Sequence, residues 1–357
     1  MNEIVRKLAS VRRIESVEVI PDADNIVCAT VDGWKLVTQK SNNFQAGDLV
    51  VYFEIDSFLP VTEKFEFLRK SSLRVMDNEE GFRLKTIKLR GQVSQGLILP
   101  MSEFFETMGD LWIDTSMAGT YSVDEGDDLT EMLGVKKWEP PIHPSLSGKV
   151  RGNFPSFIVK TDQERIQNIF KYRNRYVNEE YEVTLKLDGS SMTAYYNEGR
   201  AGVCSRNLDL EETAENAFWK VARSSKLIEA LEMYGENIAV QGELMGPGIQ
   251  GNRENLKELT LYIFDIFNIN TQEYMPHNLR MDVISDLGKL GCTANIVPIV
   301  DFVYMDDIDS LQAFLDYADS VPSINHPIAE GLVFKSMIRK RHSFKVISNK
   351  FLLKQKD

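Results

Sequence analysis

Tyr181-Glu182-Val183-Thr184-Leu185-Lys186-Leu187-Asp188-Gly189 alternates apolar and polar residues along its length. A period of two is the signature of a half-buried strand. It sends Val183, Leu185 and Leu187 to a core and Thr184, Lys186 and Asp188 to the other face. A lysine and a carboxylate then share one face beside a glycine turn, a way to hold an amine over a phosphate. A free lysine has a pKa near 10.4, so only about one in a thousand is neutral near pH 7.5. A nucleophilic lysine therefore needs a partly buried or electropositive site. Alone, the motif is weak: K-x-D-G arises by chance in roughly one chain in ten of this length. The plainer reading is an exposed Lys–Asp pair before a turn.

The 357 residues have room for two domains. With 43% hydrophobic and 26% charged residues, the make-up is that of a soluble globular protein. No run of 18 apolar residues occurs, so no membrane span is expected. Met1-Asn2-Glu3-Ile4-Val5-Arg6 lacks the apolar core of a signal peptide. Cys28, Cys204 and Cys292 are odd in number and far apart, which suggests a reducing, cytoplasmic setting without disulfides. His143, His277, His326 and His342 have no metal-site spacing, and a structural zinc is not expected.

A net charge of −12 argues against indiscriminate nucleic-acid binding, but the positive charge is localised. Lys335, Arg339, Lys340, Arg341, Lys345, Lys350, Lys354 and Lys356 fall in one stretch without an acidic residue. Arg83, Lys85, Lys88 and Arg90 form a second stretch. Lys149, Arg151, Lys160, Arg165, Lys171, Arg173 and Arg175 form a third. Any one stretch reads most simply as a solvated face. Three of them in an acidic chain suggest phosphate-facing surfaces.

Residues 1–138 carry short strand signals at Ser16–Ile20, Ile26–Val31, Lys35–Gln39, Leu49–Ile55 and Arg83–Arg90, separated by turn residues such as Asp32-Gly33. This spacing predicts a small β-barrel or sandwich. A linker is expected over 139–155, with Pro140, Pro141 and Pro144. A mixed α/β domain is expected over 156–357. Its strands are predicted at 181–187, 192–197, 201–205, 238–243, 260–267, 331–335 and 344–347. Its helices are predicted at Gln163–Tyr176, Asp209–Gly235, 278–290 and 307–319. The fold class is therefore α+β.

Six segments of the second domain stand out in order. They are Lys186-Leu187-Asp188-Gly189-Ser190, Ser205-Arg206-Asn207, Val240-Gln241-Gly242-Glu243-Leu244-Met245-Gly246, Leu261-Tyr262-Ile263-Phe264-Asp265-Ile266, Glu330-Gly331-Leu332-Val333-Phe334-Lys335 and Phe344-Lys345-Val346-Ile347-Ser348-Asn349-Lys350. They resemble, in order, motifs I, Ia, III, IIIa, IV and V of the covalent nucleotidyltransferases, the superfamily of RNA ligases, DNA ligases and mRNA-capping enzymes. The whole chain most resembles the RNA ligases with an N-terminal OB domain. Gly33-Trp34-Lys35 and the stretch from Gly47 to Pro60 look like that OB module. Phe154–Asp162 and Ile166-Gln167-Asn168 resemble the lead into the catalytic core.

The resemblance implies an N-terminal OB-like β-barrel followed by a nucleotidyltransferase domain of the ligase and capping-enzyme type. It implies ATP with Mg²⁺ or Mn²⁺, and a duplex nicked on an RNA strand as substrate. Lys186 would attack the α-phosphorus of ATP. Asp188 would orient the amine or hold a water of the metal. Arg206 offers a planar fork to a phosphate or ribose edge. Glu243, beside glycines, suits a ribose hydroxyl and is also a candidate metal ligand. Phe264, preferred over Tyr262, would stack on adenine, although a strand aromatic is as readily plain core. Glu330 suits a metal or its waters. Lys345 would neutralise the α-phosphate. Motif V often reads K-x-K, but Ile347 holds the second position, which leaves Lys335, Ser348 or Lys350 as substitutes. Arg165, on the predicted helix, is a candidate phosphate clamp or a surface arginine.

Only Lys350, Lys354 and Lys356 follow Lys345 among the cations before Asp357, so no C-terminal OB domain is expected. That disfavours a DNA ligase or a capping enzyme. A non-catalytic RNA-binding protein on a ligase scaffold is the rival of a different class, and the intact Lys186, Asp188, Glu243, Glu330 and Lys345 speak against it. Nothing in the sequence calls for an oligomer, and a monomer is expected.

Overall fold

The computed structural model describes residues 6–109, 111–114, 121–139, 149–338 and 342–354. Pro140, Pro141, Pro144, His143, Arg339, Lys340, Arg341 and Lys356 lie outside the described residues. The chain divides into two compact units, one comprising Met1–Pro141 with Leu352–Asp357, the other Ile142–Phe351. Among the described residues no helix is long and apolar enough to cross a membrane.

The first unit is almost entirely short strands. Ala9–Arg13, Leu49–Phe53 and Leu97–Pro100 form one antiparallel sheet, and Ser16–Val19, Ile26–Val31 and Trp34–Gln39 another. Asp32 and Gly33 join the last pair with φ of 46° and 76°. Positive φ at both central residues makes the tight turn whose twist matches a hairpin. Trp34, Tyr52, Phe53 and Phe82 are among the fully buried side chains. The pairings form several separate sheets, not one closed ladder. The single strand expected over Arg83–Arg90 is two, Glu79–Arg83 and Ile87–Leu89. Between them Leu84 leaves the ladder to exchange backbone bonds with Asp56 and Ser57.

The second unit is built on two sheets. The larger runs Val150–Asn153, Leu208–Leu210, Arg200–Cys204, Ser190–Asn197, Ile238–Met245, Thr260–Asn268 and Glu273–Tyr274, with Asn295–Ile296 beside Thr260–Asn268. The smaller runs Glu164–Arg165, Ser343–Ile347, Gly331–Ser336, Glu180–Lys186 and Ile299–Tyr304. Val150–Asn153 was expected within the linker, yet it pairs with Leu208–Leu210 as an edge of the larger sheet.

Two predicted helices differ from expectation. Over Gln163–Tyr176, Glu164–Arg165 is a strand, Ile166–Ile169 a single helical turn and Phe170–Tyr176 a run of 3₁₀ turns. The parallel pairing of Glu164 and Arg165 with Phe344 and Lys345 overrides the local helical pattern. The long stretch Asp209–Gly235 divides into Ala217–Ser224 and Leu227–Tyr234, because Lys226 sits at φ 55° and cannot continue a right-handed helix.

Val183, Leu185 and Leu187 do face one core, but Glu182 and Thr184 are also buried. Both faces of the Glu180–Lys186 strand are covered, and only its two end residues are partly exposed. That core is dominated by aromatics. Phe334 and Phe344 stack at 4.8 Å with ring planes 7° apart, and Phe314 meets both edge-on at 5.4 and 5.9 Å. The stack locks the two strands that bear Glu330 and Lys345. Truncating Phe344, fully buried, forfeits its transfer energy and leaves a cavity. Phe344→Ala should cost about 3–5 kcal/mol, read as a lowered midpoint in thermal denaturation. A change inside the error of the melt would contradict this packing role.

Candidate active site

The chain passes from the smaller sheet to the larger through Leu187-Asp188-Gly189, so the lysine ends one sheet and the turn begins the other. Lys186 pairs with Gly331, which brings Glu330 beside it. Lys186 Nζ donates to Glu330 Oε1 at 2.7 Å. Ser190 and Ser191 pair with Leu244 and Glu243, which brings Glu243 to the same end. The turn is tightly backed: a Cβ on Gly189 would lie 2.5 Å from the Leu244 carbonyl oxygen and 2.9 Å from Glu243 Cγ. Only glycine allows that approach.

Lys186, Asp188, Glu243 and Glu330 thus converge. Burial alone pulls the Lys186 ammonium down, but Glu330, Glu243 and Asp188 outweigh it and leave its pKa raised. Asp188 is pushed up to about 7, first by burial and then by the charge of Glu330. Glu243 is pushed up to about 8, again chiefly by burial, with Glu330 and Asp188 adding to it. Contrary to the expectation of a lowered lysine pKa, the surrounding carboxylates favour the protonated lysine. Among the described residues no three His, Cys, Asp or Glu side chains are grouped to chelate a metal by themselves.

Glu330 is braced from behind. The Ser348 N–H donates to the Glu330 carbonyl at 2.9 Å. Arg253 Nη2 donates to the Ile328 carbonyl at 2.7 Å, and Glu254 Oε2 accepts from the Asn325 N–H at 2.6 Å. Arg253 and Glu254 were not anticipated. Their only signal was two charges in the Gly- and Pro-containing loop between the Ile238–Met245 and Thr260–Asn268 strands.

Arg206 is half-exposed in the turn between Arg200–Cys204 and Leu208–Leu210, and its Nη2 lies 3.6 Å from Asp162 Oδ2. Lys345, mostly buried on Ser343–Ile347, sits with Nζ 3.2 Å from the other oxygen of Asp162. Arg165 is not on a helix surface: it is a buried strand residue paired with Lys345. The three substitutes for Ile347 are engaged elsewhere. Ser348 Oγ donates to Asp319 Oδ1 at 2.6 Å, and Lys350 Nζ to the Asp319 carbonyl at 3.3 Å.

Lys335 belongs to a buried clamp between the two sheets. Its Nζ donates to Asp265 Oδ1 at 2.7 Å and to the Phe264 carbonyl at 2.5 Å. Arg280 joins Asp265 at 3.7 Å and Glu182 at hydrogen-bond distance, and His277 Nδ1 lies 3.1 Å from Glu182. Burial depresses the Lys335 pKa, with the Arg280 charge adding to that against Asp265. A bulge in the pairing at Gln241–Gly242 makes this possible. Ile263 and Ile266 point to one core, while Phe264 packs with the other and Asp265 turns to Lys335. Bulges re-aim side chains in this way. Phe264 remains partly exposed, with Lys335 Nζ 5.6 Å from its ring centre.

A strand-end lysine ringed by carboxylates, with two further cations bridged by a carboxylate, is the equipment of a covalent nucleotidyltransferase. The RNA ligase family profile matches residues 179–347, and that of an OB-fold domain residues 8–101. The fold is similar to that of the Naegleria gruberi RNA ligase with PPi, at a TM-score of 0.87 and 43% identity over 98% of both chains. It is similar to a glutamate-to-alanine mutant of that ligase with ATP and Mn, at 0.88 and 43% over 99% of this chain and 100% of that one. A mutant with AMP and Mn gives 0.87 and 42% over 97% and 98%. No curated protein matches at a significant level. The chain belongs to the RNA ligase family, with an OB-fold domain ahead of its nucleotidyltransferase domain.

Removing one partner of the clamp leaves a buried charge less well paired. Arg280→Met leaves buried Glu182 with His277 alone at hydrogen-bond distance and should cost about 3 kcal/mol, read from the midpoint of urea unfolding. An unshifted midpoint would mean the clamp does not hold the sheets.

Proposed function

We propose that this chain is an ATP-dependent RNA ligase that seals 3′-hydroxyl/5′-phosphate nicks in duplexes through a lysyl–AMP at Lys186. The observation that carries this reading is Lys186 at a strand end, 2.7 Å from Glu330 and within the field of Asp188 and Glu243. Lys186 Nζ, once deprotonated, bonds to the α-phosphorus of ATP as the bond to the β-phosphate oxygen breaks and pyrophosphate leaves. A 5′-phosphate oxygen next attacks that phosphorus. The P–N bond breaks and Lys186 takes back a proton. The 3′-hydroxyl oxygen finally attacks the activated 5′-phosphorus and AMP departs.

The chain's own groups divide the work. Lys345 and Arg206 neutralise phosphate charge, and Arg165 borders Lys345. Glu243 takes a ribose hydroxyl, and Phe264 presents its ring to adenine. Asp188 and Glu330 set the state of the lysine. The donor set suits a hard cation, because Glu330 raises the proton affinity of Asp188 and Glu243 and a bound cation would relieve that repulsion. Asp188, Glu243 and Glu330 are the residues that would hold a Mg²⁺ or Mn²⁺ ion, which would supply positive charge to neutralise phosphate and relieve the field that keeps Lys186 protonated.

Lys350 stays a second candidate for phosphate contact only if it leaves Asp319. The domain limits 1–138 and 156–357, a monomeric state and an RNA 3′-hydroxyl strand at the nick belong to the same proposal. Three free thiols, Cys28, Cys204 and Cys292, support a reducing cytoplasmic setting.

Incubation with α-labelled ATP and Mn²⁺, then denaturing electrophoresis, should label the wild type and leave Lys186→Ala unlabelled. Equal labelling of both would sink the assignment. Because Asp188 and Glu243 are pushed up to about 7 and 8, both ionise between pH 6 and 9 and become able to attract the cation, so labelling should rise over that range. A flat or falling profile would contradict the electrostatics. Added Mn²⁺ with ATP should release protons at pH 7 and fewer at pH 9, where both carboxyls are already ionised, as calorimetry in two buffers would read.

A further inference from the structure

The segment Val159–Glu164 runs past the site under several tethers. The Val159 carbonyl accepts from Gln241 Nε2 at 2.9 Å and from the Tyr274 hydroxyl at 3.0 Å. Lys160 Nζ donates to Asn207 Oδ1 at 3.1 Å. Glu164 and Arg165 pair with Phe344 and Lys345. Between these anchors stands Asp162, its side chain 47% exposed. Its two oxygens reach Lys345 Nζ at 3.2 Å and Arg206 Nη2 at 3.6 Å. One carboxylate therefore bridges two cations from different sheets, the same two assigned above to phosphate.

We propose that Asp162 is a built-in anion that competes with phosphate for Lys345 and Arg206 and so sets the affinity of the site for ATP and pyrophosphate. The inference rests on the phosphate-binding roles given to those two cations. Asp162 offsets their repulsion and keeps both aimed at one point. A phosphate carries more charge and more acceptor oxygens, so it displaces the carboxylate. Half-exposed, Asp162 returns to water at small cost, since ion pairs of this exposure are weak. Once displaced, it repels the bound phosphates and favours their release. That suits a reaction whose successive steps must each bind and then discharge a phosphate group.

Asp162→Asn keeps the size of the side chain and removes its charge, whereas Asp162→Glu keeps the charge. The test uses the full chain in two measurements. The first is calorimetric titration with inorganic pyrophosphate alone. The second is the KM for ATP together with the single-turnover labelling rate at saturating ATP. Asp162→Asn should bind pyrophosphate roughly three- to tenfold more tightly and lower KM by a like factor. Its rate at saturation should stay within about twofold. Asp162→Glu should resemble the wild type, and raising the salt should shrink the difference.

Unchanged or weaker pyrophosphate binding by Asp162→Asn would overturn the proposal. So would a loss confined to the saturating rate with KM unmoved, which would make Asp162 a prop for Lys345 alone. The titration needs no chemistry. A wild type that fails to label Lys186 would therefore sink the ligase mechanism, while the pyrophosphate affinities still decide the role of Asp162.

Discussion

One buried ammonium among three carboxylates governs this molecule. Lys186 is held to Glu330 at 2.7 Å, and Glu243 and Asp188 add their fields. Such a cluster has more negative charge than one lysine can balance, so the site takes up protons at Asp188 and Glu243. It therefore calls for further positive charge.

The cluster exists because two sheets end at the same place. The four groups come from the Glu180–Lys186 strand, the turn after it, the Ile238–Met245 strand and the entry to Gly331–Ser336. No local interaction would align them. Gly189 lets the turn press against Leu244, and Gly331 lies opposite Lys186. Aromatic stacking of Phe314, Phe334 and Phe344 secures one sheet internally. The charged clamp of Lys335, Asp265, Arg280 and Glu182 ties it to the other. A buried ion network is costly to desolvate, and its use here is directional: each member accepts only a partner of opposite charge in one place. The bulge at Gln241–Gly242 supplies the needed change of facing.

A second theme is the internal pairing of cations. Lys345 and Arg206 share Asp162, and Arg253 is committed to the loop ahead of Glu330. Pairing keeps long side chains oriented that would otherwise sample many rotamers. It also subtracts from the affinity of whatever replaces the internal anion.

The period-two pattern over Tyr181–Gly189, the ordered motifs and the aromatic strands were legible in the sequence, because each is a local pattern with a local physical cause. Lys186, Asp188, Glu243 and Glu330 could be picked out for that reason, and all four meet in the structure. Pairing between distant segments was not legible. Glu164–Arg165 read as helix because only contact with Phe344 and Lys345 makes it a strand. Lys335 and Lys350 read as phosphate ligands because a sequence shows a charge without its partner. In the structure Lys335 is buried against Asp265, and Lys350, at the surface, donates to the Asp319 carbonyl. The raised proton affinity of the Lys186 cluster was likewise invisible, since it arises from carboxylates up to 144 residues away. Residue type and spacing determined which groups this chain brings to the reaction. The tertiary structure decided which of them face one another, because electrostatic energy depends on distance and burial rather than on order along the chain.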